Sequence, residues 1–362
     1  MINSILHKDK LTKSDIITLL NSEGDDMELL FRYSTEIKNK VIGNKIHLRG
    51  IIESSNVCSK NCYYCGIRKD NKEIVRYTID DEEVINAARF AFENNYGSLV
   101  IQTGELQSES NTQRIEHQLH EIKKLSDGKL GVTLSCGEQT EDVYKRWFDA
   151  GAHRYLLRIE ASNKELYKKL HPDNELHSWK KRINCLYLLK KIGCQVGTGV
   201  MIGLPFQTID NLADDLLFMK ELDIDMCGMG PYIEHHATPL YNHRETLLTL
   251  PDRLILSLKM LAILRIIMKD INIAATTALQ TISLKGREDA VRYASNIVMP
   301  NITPLSYRNE YKLYENKPGC DQDCEDSIMA IKELVKNAGS QICFDEWGDS
   351  KRFKNRKNNR LI

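Results

Sequence analysis

Several things this 362-residue chain does not have narrow the field at once. It has no net charge, with fifty Lys plus Arg set against fifty Asp plus Glu, so no overall field draws it towards nucleic acid or an anionic membrane. It lacks an apolar run long enough to span a bilayer. The best stretch, Leu254–Met268, is broken by Lys259 and Arg265 and reads as a helix buried on one face. Met1–Lys10 is polar and carries no leader segment, which points to a cytoplasmic setting. There is no P-loop. The one glycine-rich candidate, Gly197-Thr-Gly199-Val-Met-Ile-Gly203, has the wrong spacing for a dinucleotide turn and lies on a strand. Nor do the cysteines fall into a disulfide framework, which a chain of this size does not need.

What is present is an ordinary globular composition, 42% apolar and 28% charged, and ten cysteines that a cytoplasm would keep reduced. Three of them fall within eight residues, Cys58-Ser-Lys-Asn-Cys62-Tyr-Tyr-Cys65, just after the alternating run Ile46–Glu53. Soft thiolates at this spacing suit an iron–sulfur cluster or zinc. Three ligands leave one metal position open, and an open position is where chemistry happens.

Around that loop the chain keeps a regular beat. Residues 11–45 read as helices, opened by a capping box at Thr12-Lys-Ser-Asp15. Short apolar strands are then expected at Ile46–Glu53, Ser98–Gln102, Gly131–Ser135, Tyr155–Ile159, Gln195–Ile202, Met226–Met229, Ile271–Ala275 and Ser295–Met299, nearly all separated by helices. The helix after the cysteine loop is expected to be capped by Thr78 and stopped by Gly97. Alternation of this kind forces parallel pairing through right-handed crossovers. The expected fold is α/β: a complete (β/α)8 TIM-type barrel over residues 46–347, with an N-terminal helical extension (1–45) and a basic C-terminal tail (348–362). Lys351–Arg360, with six basic residues, reads as solvated. Such a barrel places its chemistry at the carboxyl ends of the strands. There stand the cysteine loop, Thr103 and Glu105, Ser135, Arg158 and Glu160, Tyr232, Thr276 and Thr277, and Asn301.

The Cys58-x3-Cys62-x2-Cys65 loop in this setting resembles the radical S-adenosylmethionine superfamily. Further segments narrow the likeness: Gly50-Ile-Ile-Glu-Ser-Ser-Asn-Val-Cys58, Gln102-Thr-Gly-Glu105, Arg154-Tyr-Leu-Leu-Arg158-Ile-Glu160, Arg182-Ile-Asn-Cys185, Met201-Ile-Gly-Leu-Pro205, Gly230-Pro-Tyr232, Ala274-Ala-Thr-Thr277 and Asn296-Ile-Val-Met-Pro-Asn301. In this order, over about Leu48 to Trp347, they are similar to the HydE family of FeFe-hydrogenase maturases. The resemblance implies a 4Fe–4S cluster held by Cys58, Cys62 and Cys65, with the fourth iron open to S-adenosyl-L-methionine, which is cleaved to methionine and a 5′-deoxyadenosyl radical. It assigns Tyr64, Thr103, Gly104, Glu105, Ser135, Glu160 and Arg182 to that cosubstrate. Arg158, Thr276, Thr277 and Tyr311 go to a small organometallic or amino-acid-like substrate. It further implies a reductant such as ferredoxin or flavodoxin, contact with other hydrogenase maturases, and no nucleic-acid or membrane partner.

The chain departs from the family in three places. The C-terminal C-x7-C-x2-C motif of many members is replaced by Cys320-Asp-Gln-Asp-Cys324, so a second cluster is not expected. Ile159 stands where a histidine is usual, and Gln280 where glycine is common; both changes are expected near the cavity. Plainer readings stand beside these assignments. The thiol triplet could be a structural zinc clip, and Glu160 with Arg182 a structural ion pair. Cys136, Cys185, Cys194, Cys227 and Cys343 read as buried small hydrophobes, Cys320 and Cys324 as exposed thiols. His235 and His236, adjacent on an extended segment, should point apart. Competing functions are a mutase of the methylornithine synthase type, a biotin synthase relative, and a non-enzymatic metal-binding scaffold.

Overall fold

The computed structural model describes residues 2–321 and 324–358. Eight parallel strands form the ring: β1 (Lys45–Ser55), β2 (Ser98–Thr103), β3 (Gly131–Ser135), β4 (Arg154–Leu156), β5 (Gln195–Thr198), β6 (Met226–Cys227), β7 (Asn272–Ile273) and β8 (Ile297–Val298). They pair in chain order, and β8 returns to β1 through His47–Ile297 and Leu48–Val298. The seam between β7 and β8 is the thinnest. One bridge, Ala274–Ile297, closes it, with Asn296 N–H donating to Ile273 O and Ala275 N–H to Ile297 O, both at 3.0 Å. The TIM-type α/β fold is therefore present, though a fully laddered barrel overstates this seam.

Strands β5 and β6 stop early because their backbones converge: a Cβ on Gly199 would strike the carbonyl of Gly228. Past that pinch, Met201–Ile202 and Gly230–Pro231 pair as a separate ribbon that raises one side of the mouth. The strands are apolar on both faces, as a helix-covered parallel sheet requires.

Three N-terminal helices, α1 (Ile2–Leu6), α2 (Lys13–Leu20) and α3 (Gly24–Val41), precede the barrel. The Thr12/Asp15 capping box forms at the start of α2. These helices explain a difference from expectation. Helix α10 (Leu250–Ile267) is buried on nearly every side, because α2 and α3 cover its outer face. Lys259 Nζ donates to Leu20 O at 3.0 Å, and Ser34 Oγ to Ala262 O at 3.2 Å. Helix α4 (Asp81–Glu93) starts later than expected, with Asp80 at its cap; Thr78 instead hydrogen-bonds Ser55 Oγ at 2.9 Å and ties the chain to the end of β1. Gly97 lies beyond the stop at Asn94, in close approach to the backbone of Glu346.

The bottom of the ring is sealed by the chain's own C-terminal part. Gln341–Cys343 pairs with the start of β1, and residues 347–350 cross beneath the strands. Arg154 Nη1 meets Asp349 at 2.9 Å and Trp347 O at 2.7 Å, and Asn272 donates to Gly348 O at 2.7 Å. The basic tail is docked as far as Asn358, contrary to expectation, while residues 359–362 lie outside the described residues: Lys351–Asn358 is a helix whose Arg352 pairs with Asp223 and Asp270, and whose Arg356 pairs with Asp223 and Asp225.

One buried acid gives a pH prediction. Asp215 on α9 (Ile209–Glu221) accepts from Ser162 N–H at 2.7 Å and Ser162 Oγ at 2.5 Å, and burial pushes its carboxyl up to about 7. In the window from about 4 to 7 the folded chain holds a proton that the unfolded chain has released, so stability falls as pH rises. Asp215→Asn should remove that fall. Its urea midpoint relative to wild type should climb from pH 4 to 7, and a pH-independent difference would exonerate Asp215.

Candidate active site

The cysteine loop is held by few but well-placed bonds. Asn56, just past β1, donates to Val75 O and Glu310 O, each at 2.8 Å, and accepts from Tyr77 N–H at 2.8 Å. Arg76 donates to the carbonyls of Asn56 (2.7 Å), Ile67 (2.8 Å) and Asn71 (3.1 Å), closing the loop on itself. Within it, Cys58 Sγ accepts N–H from Lys60 at 3.4 Å and from Glu105 at 3.3 Å. Burial raises all three thiols, and the neighbouring Cys58 adds to the shift of Cys62, which is pushed up to about 12. Three thiolates here demand a cationic partner, and the donor set fits an iron–sulfur cluster.

Gly104 is required sterically. A Cβ there would run into Val57 O and lie 2.9 Å from Cys58 Cβ. Gly104→Ala should therefore push Cys58 out of place and lower iron content after reconstitution by about tenfold, by analogy with the loss of a ligand-orienting contact. Full iron loading would refute this.

A cavity of about 330 Å³ opens at the carboxyl ends of the strands, the size of a small-molecule site. Every residue assigned from the sequence to the cluster, the cosubstrate or the substrate lines it: Cys58, Cys62, Tyr64, Cys65, Thr103, Gly104, Glu105, Ser135, Arg158, Glu160, Arg182, Thr276, Thr277 and Tyr311. Glu160 and Arg182 do not form the structural pair of the plainer reading; each has partners of its own. Glu160 meets Arg158 Nη2 at 2.9 Å from a left-handed backbone (φ 64°), a strained conformation for glutamate. Arg182, on α8 (Trp179–Ile192), meets Glu138 at 2.9 Å through Nε and Glu105 at 3.6 Å through Nη1. Lys60 completes the group, 3.0 Å from Glu105 and 3.1 Å from Glu138. Burial raises the carboxyl of Glu105 despite both cations, and raises that of Glu160 despite Arg158. Thr103 Oγ1 is buried without a hydrogen-bond partner among the described residues. Tyr64 packs edge-on against His171, its hydroxyl 3.2 Å from His171 Nε2.

Sequence reasoning missed Lys60, Glu138, Glu53 and Lys317. Glu53 Oε2 accepts from Asn301 at 3.2 Å and Oε1 pairs with Lys317, whose ammonium also lies 5.0 Å above the Tyr311 ring. Gln102 donates to the Tyr311 hydroxyl at 3.2 Å, and Thr277 Oγ1 lies 2.8 Å from the Tyr314 hydroxyl. Strand-end position could have flagged Glu138, three residues past β3. It could equally have flagged Glu53, near the end of β1, and Lys60 lies within the cysteine loop; Lys317 carries no such mark. Ile159 is fully buried in the core and does not line the cavity, so that departure stays out of the site. His235 and His236 stack at 4.9 Å rather than pointing apart, because both turn towards Glu315. Cys320 and Cys324 are half-buried, held to Lys317 O and Arg308 at 3.3 Å. Cys136, Cys185, Cys194, Cys227 and Cys343 are buried as expected.

A parallel barrel with a three-thiol loop after its first strand defines a class, and the comparisons agree on it. A family model described as the radical SAM superfamily matches residues 52–219. The solved methylornithine synthase PylB superposes with a TM-score of 0.79 at 21% identity, covering 95% of this chain and 97% of its own. The 3-methylornithine synthase of Methanosarcina acetivorans is 26% identical over 90% of this chain and 88% of its own. The FeFe hydrogenase maturase subunit HydE of Thermotoga maritima is 44% identical over 90% of this chain and 89% of its own. This chain is thus a radical S-adenosylmethionine enzyme. Within that superfamily it belongs to the HydE family.

Proposed function

We propose that Cys58, Cys62 and Cys65 hold three irons of a 4Fe–4S cluster, and that the fourth iron takes the amino and carboxylate groups of S-adenosyl-L-methionine. The observation that carries this is convergence. The three thiols share one cavity with Glu105, Glu160 and Arg182, acids and a cation suited to a zwitterion. The bound cluster and cosubstrate supply one-electron cleavage of a sulfonium, giving methionine and a 5′-deoxyadenosyl radical. This chain's residues do the placing. Arg182 offers its guanidinium to a carboxylate while Glu138 pairs with its Nε, and Glu160 and Glu105 accept from the amino group or the ribose. Tyr64, within the cysteine loop, lines the cavity against His171, and Thr103 and Ser135 present hydroxyls at neighbouring strand ends. Arg158, Thr276, Thr277 and Tyr311 face a second, small organometallic or amino-acid-like substrate across the same space. The apolar wall of Leu156, Met201, Ile233 and Met299 keeps water from a reactive species.

The role is maturation of FeFe-hydrogenase, in a cytoplasm and with ferredoxin or flavodoxin as reductant alongside the other maturases. No described helix is long and apolar enough to cross a membrane. Anaerobic reconstitution with iron and sulfide, then dithionite and S-adenosylmethionine, tests the chemistry. It should yield a 4Fe–4S spectrum and 5′-deoxyadenosine, and absence of either ends the proposal. Complementing a strain that lacks its HydE tests the pathway. Restored hydrogenase activity excludes a methylornithine-type mutase as the main role, and failure of an active enzyme to restore it favours the mutase.

A further inference from the structure

Five cations line the cavity: Lys60, Arg158, Arg182, Arg287 and Lys317. Four are matched. Lys60 and Arg182 share Glu105 and Glu138, Arg158 has Glu160, and Lys317 has Glu53. Arg287 has no ion pair among the described residues, although only 6% of it is exposed. It lies at the start of α12 (Gly286–Tyr293), directly after α11 (Thr277–Ile282). Gly286 permits this placement, since a Cβ there would collide with Leu279 O on α11.

Its three nitrogens are not equivalent. Nη1 donates to Gln280 Oε1 at 3.3 Å, whereas Nε and Nη2 are buried without a hydrogen-bond partner among the described residues. Nε–H and Nη2–H point the same way along one edge of the guanidinium plane, and that edge is the fork that grips both oxygens of a carboxylate. Burial lowers this guanidinium to about 10, so it still carries its charge at neutral pH. The same side chain also lines a small annex of about 60 Å³ with Thr277, Gln280, Asn301 and Pro318, and Thr277, Asn301 and Pro318 line the main cavity too. A charged fork therefore stands where the annex meets the reaction chamber.

We propose that the Nε/Nη2 edge of Arg287 is a carboxylate receptor for the second substrate, oriented by Gln280. Gln280 then has a function: its side-chain oxygen occupies Nη1 and so turns the free edge towards the ligand. The claim that the bound carboxylate belongs to the reacting substrate rests on the radical-enzyme reading, but the binding itself does not.

The test titrates the cluster-free chain with 13C-acetate, reading line-broadening by NMR. Wild type should bind acetate saturably. Arg287→Lys, which keeps the charge but loses the fork, should weaken binding by about tenfold. Gln280→Glu should abolish it, because the introduced carboxylate beside Arg287 takes its place. If Arg287→Lys does not fold, Gln280→Glu decides alone. No saturable binding to wild type, or equal affinity in wild type and the variants, overturns the proposal. Cleavage of S-adenosylmethionine by reconstituted wild type is scored separately. Its failure would sink the radical reading and leave the titration standing.

Discussion

Cys62→Ala should eliminate 5′-deoxyadenosine formation while leaving the chain folded. The thiol of Cys62 is buried, 8% exposed, at the cavity wall, yet it anchors no secondary-structure element. The loop around it is set by Asn56 and Arg76, whose bonds the substitution does not touch. Removing one small buried sulfur should cost the metal-free chain on the order of 1 kcal/mol. A cluster left with two thiolates has no such reserve, and iron content should drop with activity. The competing picture, a structural metal clip, predicts the reverse order of effects. A clip contributes roughly 10 kcal/mol or more of folding energy, so its loss would unfold the protein. The decisive pair of measurements is thermal midpoint and product yield on the same preparation. An unfolded Cys62→Ala chain would point to a clip, and a variant that still turned over would remove Cys62 from the chemistry. Cys136→Ala is the control. That thiol is fully buried, lies outside the cavity lining and donates to Ile101 O at 3.8 Å, so cluster and turnover should survive.

The contrast between those two cysteines was legible before any coordinates, because it depends on local spacing. So was the ring of strands, since alternation of short apolar runs with amphipathic helices leaves few topologies. Strand-end positions then put Thr103, Glu105, Ser135, Arg158 and Glu160 at one mouth. What could not be read were contacts whose partners lie far apart in the chain. Glu53 looks like a polar residue on a strand until Lys317 arrives 264 positions later. Arg287 carries no signal in the sequence, and only α11 packed against it shows that the residue is interior. The all-round burial of α10 follows from helices more than two hundred residues upstream, so its own pattern could not reveal which side was covered. The histidine pair failed for a similar reason: extended-chain geometry says the rings diverge, but Glu315 attracts both.

Glu138→Ala should be among the most damaging single changes outside the cysteines. Its carboxylate is fully buried between two cations, 2.9 Å from Arg182 Nε and 3.1 Å from Lys60 Nζ. Among the described residues Glu105 is the only other acid in contact with both, and its 3.6 Å approach to Arg182 is the loosest of the four links. Deleting Glu138 leaves two buried cations sharing one carboxylate. Breaking a buried pair in this way costs roughly 3–5 kcal/mol, because the stranded charge keeps its desolvation penalty. The damage should extend to binding. Lys60 also donates to Leu176 O, so the same network ties the cysteine loop to the segment before α8. Without Glu138, Arg182 loses the contact that fixes its Nε and with it the orientation of the face it offers a carboxylate. The KM for S-adenosylmethionine should rise by about 10- to 100-fold, the usual cost of removing a residue that orients a ligand-binding group. The kcat should change far less, since Glu138 does not line the cavity. Glu138→Gln separates charge from position: its amide oxygen can still accept from Arg182, so it should recover much of the KM but only part of the stability. If the alanine variant lost stability with an unchanged KM, Glu138 would be a structural acid only. If KM rises and stability falls with alanine and the KM returns with glutamine, Glu138 is the residue that aims Arg182.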